Sequence, residues 1–90
     1  MASKAEKLLE RMRQSKNGWK RADLDTLYSG FGFAISHGKS HDIIRHPEFP
    51  DLRTVLPRHN YLAKGYVEQA LKLVGRLLQL RKEATRGNDQ

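Results

Sequence analysis

At Gly30 the spacing of apolar residues changes period, and that change limits the possible folds more than any other feature of the chain. Before it, Ala5, Leu8, Leu9 and Met12 recur at helical intervals, and Leu24, Leu27 and Tyr28 share a second helical face. After it, Phe31, Phe33 and Ile35 alternate with Gly32, Ala34 and Ser36, the rhythm of a strand with one buried face. Helical spacing returns near the end, where Tyr66, Ala70, Leu73, Val74, Leu77 and Leu80 form one broad stripe. Helices therefore bracket a central run of strands.

Local signals place the boundaries. Ser3-Lys4-Ala5-Glu6 fits a capping box opening the first helix, which runs to about Arg13. Ser15-Lys16-Asn17-Gly18 ends it, with Asn17 and Gly18 suited to a left-handed turn. The second helix is expected over Lys20 to Ser29, with Gly30 as its cap. His37-Gly38-Lys39 reads as a tight turn between the first strand and a second one over Ser40 to His46. Pro47 and Pro50 exclude a central strand between them, because neither can donate to a ladder. Arg53 to Leu56 makes a third strand closed by Pro57, and a long helix spans about Ala63 to Glu83. The sum is an α+β fold of order α-α-β-β-β-α. It has two layers, a three-stranded antiparallel sheet packed on helices, with its other face open to solvent.

Ninety residues make one domain, 1–90, with an extra N-terminal helix in 1–18, a core over 19–82 and a polar tail at 83–90 that is expected to fray. No apolar run nears the length of about 20 residues that spans a bilayer. The first residues lack an apolar signal core, so the expected address is cytoplasmic, with no membrane partner. Cysteine is absent, which removes disulfides, thiolate metal sites and cysteine nucleophiles together. Lys plus Arg number 17 against 10 Asp plus Glu, a net charge of +7 that favours a polyanionic partner.

Chemistry narrows to imidazole among cations. There is no phosphate-binding Gly-rich loop ending in Lys-Ser or Lys-Thr. His37, His41, His46 and His59 lie around strands without a carboxylate cluster, so no metal site and no cofactor is expected. Ser40, His41 and Asp42 are consecutive strand residues that point alternately to opposite faces, which rules out a relay among them. Lys39, Arg45, His46, Arg53, Arg58 and His59 fall in or beside the sheet around His41, which is expected to stand uncovered at its edge. Metal-free RNA cleavage needs a base for the 2′-OH, an acid for the departing 5′-oxygen and positive charge for the phosphorane. Histidine near its ordinary pKa suits either proton role.

Gly38-Lys39-Ser40-His41-Asp42-Ile43-Ile44-Arg45-His46-Pro47 resembles the signature of the HicA family of mRNA interferases, toxins of toxin-antitoxin pairs. Leu24 to Phe31 resembles the helix-then-Gly-aromatic entry that precedes that signature. Thr54-Val55-Leu56-Pro57-Arg58-His59 and Ala63-Lys64-Gly65-Tyr66-Val67 resemble the third strand and the start of the last helix. The likeness covers roughly residues 20 to 80 in order. It implies a fold like a double-stranded-RNA-binding domain, endoribonuclease activity on mRNA and a neutralising HicB-like antitoxin. The family histidine carries over onto His41 alone. Lys39, Ser40, Arg45, Arg58 and Lys64 are the residues expected to hold RNA. The chain departs from the frequent Gly-Ser-His-His in having Lys39 before Ser40 and Asp42 after His41. A carboxylate there raises the histidine's pKa if the two side chains approach. The rival expectation is a non-catalytic RNA- or DNA-binding module of the same fold, which needs the basic residues but no histidine at the turn.

Overall fold

A computed structural model describes residues 3–88, in the order α1 (Lys4–Gln14), α2 (Arg21–Gly30), β1 (Ala34–His37), β2 (His41–Arg45), β3 (Arg53–Pro57) and α3 (Lys64–Asn88). The strands form one antiparallel sheet in the order β1-β2-β3, so the α+β, α-α-β-β-β-α arrangement is as expected. Among the described residues no helix is long and apolar enough to cross a membrane.

Capping decides where α1 begins. The Ser3 hydroxyl accepts from the Glu6 N–H, and the Glu6 carboxylate accepts from the Ser3 N–H, both at 3.2 Å. Ala5, Leu8, Leu9 and Met12 are all buried, so α1 completes the core and does not merely decorate it. Burial of side chains such as Leu and Met contributes roughly 1.5–3 kcal/mol each. The left-handed turn after α1 falls on Gly18 alone, at φ 81°.

Gly30 is not the cap of α2. It lies inside the helix, and Phe31 caps it, while Gly32 takes the left-handed turn at φ 89°. Gly30 answers to packing: a Cβ there would stand 2.3 Å from the Cβ of Ala5, so only glycine lets α1 and α2 approach this closely. Phe31 and Phe33 precede β1 and do not extend it. Both are buried, with Phe33 edge-on to Tyr28 at 5.1 Å between centroids.

Val67, Ala70, Leu73, Val74 and Leu77 carry the buried stripe of α3, with Tyr66 and Leu80 at its margins. Val67, outside the expected stripe, is fully buried. α3 continues to Asn88, past the expected helix end at about Glu83. Thr85 Oγ1 donates to the Arg81 carbonyl at 3.0 Å, and Gln79 Nε2 to the Glu83 carboxylate at 3.3 Å. The rest of the expected polar tail, 89–90, lies outside the described residues.

Register sorts the sheet into two faces. Ile44 and Leu56 point inward with Asp42 and His46. Ala34, Ser36, His41, Ile43, Arg45, Arg53 and Val55 point outward and are exposed. Among the described residues no helix covers that outer face. Pro57, which has no N–H to give, sits in the edge strand β3, where a missing donor is tolerated.

Candidate nucleic-acid interface and active site

His41 opens β2, opposite Pro57 of β3. Because β2 is the middle strand, the imidazole stands at the end of the central strand and not at a lateral edge of the sheet. It is exposed, as expected. Arg45, four residues on, returns to the same face about 13 Å away at strand rise. Directly across from it lies Arg53. Among the described residues neither arginine forms an ion pair with a carboxylate. Like charges placed opposite each other on a sheet repel, and an anion between them relieves that cost. Ile43 and Val55, 45% and 52% exposed, form the row between this arginine pair and His41. Arg53 and these two apolar residues did not figure among the expected RNA contacts. Their signal lay in the register, which an unaligned sequence does not display.

Lys39 and Ser40 are exposed in the turn preceding His41. Gly38 donates to the His41 carbonyl at 3.0 Å, and a Cβ at Gly38 would meet that oxygen at 2.6 Å. Glycine is thus what lets the turn close onto His41. Lys64 is exposed in the first turn of α3.

Beneath the turn, on the opposite face from His41, lies a buried carboxylate. The Asp42 side chain is only 4% exposed and accepts three hydrogen bonds. His37 Nδ1 donates to Oδ1 at 2.9 Å, Arg58 Nε to Oδ1 at 3.0 Å and Arg21 Nη2 to Oδ2 at 2.7 Å. The His37 hydrogen bond, with those from Arg21 and Arg58, outweighs desolvation and holds the carboxyl well below the usual carboxylate range. Arg21 also donates to Asp25 at 2.8 Å and to the Pro57 carbonyl at 3.0 Å. Burial alone would lower its pKa, but hydrogen bonds to Asp42 and Asp25 raise it.

Two expectations, on Asp42 and His46, are corrected here, and Arg58 gains contacts within the fold. Asp42 does not approach the His41 ring; strand alternation sends the two to opposite faces, and the carboxylate serves His37 instead. Arg58 is tied down: besides Asp42 it donates to the carbonyls of Lys39, at 3.1 Å, and Gly38. Its role in the fold is to hold the β1–β2 turn. His46 is not part of the cationic surface around His41. It is buried between Phe33 and Phe49, its Nδ1 accepts from the Glu48 N–H at 3.1 Å, and its Nε2 lies 3.2 Å from the Phe31 carbonyl.

Among the described residues no three His, Asp or Glu side chains converge to hold a metal ion. Tyr61, 64% exposed, lies under Lys20 Nζ at 5.6 Å from its ring centre, next to the Arg58–Asn60 loop. No family model, curated protein or solved structure matches the chain.

Proposed function

We propose that this chain is a HicA-type toxin: an endoribonuclease that cleaves mRNA without a metal through His41 and is silenced by a HicB-like antitoxin. One observation carries the reading. An exposed imidazole stands at the end of an uncovered sheet face that also bears the unneutralised pair Arg45 and Arg53. A face of this kind accepts a phosphodiester backbone, with the arginines on phosphates and His41 at the scissile bond. Lys39 and Ser40, beside His41 in the turn, add a charge and a hydroxyl where the phosphorane forms. Lys64 extends the basic surface at the start of α3. The apolar row of Ile43 and Val55 suits contact with ribose or base, or with an acidic antitoxin that covers the face. The order of the sequence motifs supports the same reading.

The test is cleavage of a labelled mRNA by the parent and by His41→Ala. Removing a positioned proton-transfer group costs about 10²–10⁴-fold in rate. Equal cleavage by the two proteins rejects the catalytic assignment. The alternative, a non-catalytic RNA- or DNA-binding module, is favoured by a parent that binds the same RNA and leaves it intact.

A further inference from the structure

We propose that His37, oriented by Asp42, is the second proton-transfer group of the nuclease, the general base to which His41 is the acid; this rests on the reading of His41 as catalytic. The His37 side chain is 78% exposed, so its ring does not fill the core, yet its Nδ1 is bound to a carboxylate that is 4% exposed. An ionised carboxylate only accepts, so Nδ1 carries the hydrogen, and in the neutral imidazole Nε2 keeps its lone pair. Asp42 is itself fixed by guanidinium groups from two other parts of the chain, Arg21 of α2 and Arg58 beyond β3. A carboxylate so anchored holds the ring in one tautomer and stabilises the imidazolium formed when Nε2 takes a proton. The carboxylate is thus held from three sides, and of its three partners only the imidazole can take up and release a proton near neutral pH.

Position supports the pairing. His37 is in register with Asp42, and the turn from Gly38 to Ser40 joins it to His41. The two imidazoles therefore mark the same end of the β1–β2 hairpin, one on each face. In-line displacement at phosphorus puts the attacking and leaving oxygens on opposite sides. A phosphodiester lying across the turn meets His37 on one side and His41 on the other, with Lys39 between them. His37 Nε2 takes the 2′-OH proton, the 2′-oxygen forms a bond to phosphorus, the bond from phosphorus to the 5′-oxygen breaks, and protonated His41 delivers its proton to that oxygen. The products are a 2′,3′-cyclic phosphate and a 5′-hydroxyl. Asp42 is a positioning residue that acts only through His37.

Cleavage of a labelled mRNA across pH and RNA concentration, by the parent, His37→Gln, His41→Ala and Asp42→Asn, tests this, with circular dichroism to confirm the fold. His37→Gln is a surface change and is expected to slow cleavage by about 10²–10⁴-fold and to abolish the acidic limb of the rate profile. Asp42→Asn is expected to lower the cleavage rate at saturating RNA while leaving the RNA concentration for half-saturation unchanged, because only the orientation of the His37 ring is lost; Arg21 and Arg58 are the other charges facing the pair. Loss of fold alone would not separate the two quantities. If His37→Gln cleaves like the parent while His41→Ala is inactive, this inference is overturned and the role of His41 stands. If His41→Ala matches the parent, the underlying reading falls and this one falls with it.

Discussion

Arg58 reaches from beyond the end of β3 to Asp42 on the central strand, its Nε 3.0 Å from Oδ1. Through the same guanidinium it holds the carbonyls of Gly38 and Lys39. One side chain thus fastens the hairpin turn to the buried charge next to His41. On the proposed function, the placing of His41 rests on this buried contact as well as on the exposed residues.

Acid should expose that dependence. The folded Asp42 carboxyl lies below its ordinary value near 3.9. Its contribution to stability is therefore complete above that pH and is lost as pH falls through the folded value. Thermal melts between pH 7 and pH 2 are expected to show the parent losing Tm steeply below about pH 4. Asp42→Asn should begin lower at pH 7 and fall less steeply across the same window. Parallel curves would remove Asp42 from the account of acid sensitivity.

Arg45 and Arg53 should behave differently from Arg58. Alanine at either exposed position is expected to leave stability within about 0.5 kcal/mol. Each should reduce the salt dependence of single-stranded RNA binding by about 0.7 in slope, the value of one lost phosphate contact. Arg58→Ala should instead lower Tm, because it releases both Asp42 and the turn. An unchanged salt slope in both Arg45→Ala and Arg53→Ala would show that the RNA does not lie on this face.

Tyr28 offers a gain. Its hydroxyl is buried and has no hydrogen-bond partner among the described residues, and burial pushes its ionisation well above the usual value. An unsatisfied buried polar group costs about 1–3 kcal/mol. Tyr28→Phe is expected to keep or raise Tm, by about 4–8 °C for each kcal/mol recovered. It should also remove a loss of stability that the parent shows as pH rises above about 10, where the unfolded phenol ionises and the folded one does not. A lower Tm at neutral pH would contradict this.

Gly30→Ala should destabilise despite the better helix propensity of alanine. The added methyl meets the Ala5 Cβ far inside contact distance and forces α1 away from α2. Overpacking of this kind costs about 1–3 kcal/mol, more than the gain of roughly 1 kcal/mol expected from propensity. Denaturant melts of Gly30→Ala, and of that variant combined with Ala5→Gly, check the cause. Partial recovery in the double variant is the expected result.

The sequence shows most clearly what depends on near neighbours. The Ser3–Glu6 box, the alternation through β2 and the stripe of α3 are set by residues a few positions apart, and all stand where their spacing puts them. The exposed His41 also follows from alternation. The partners of Asp42 do not. Arg21 and Arg58 stand 21 and 16 residues from it, and only the register of β2 with β3 and the docking of α2 bring them together. Gly30 misleads for a similar reason: its place near a helix end reads as a cap, whereas its constraint comes from Ala5, on another helix. His46 looked like surface chemistry because a histidine beside a proline carries no sign of being enclosed by Phe33 and Phe49.

The clamped turn has a kinetic consequence. Two carbonyls of the loop that carries Lys39 and Ser40 are engaged by a guanidinium, so on the proposed function RNA docking need not spend free energy on arranging it. Damage to the clamp should therefore register first as faster amide exchange in residues 38–41 and slower turnover, while the helices beneath still unfold as one unit.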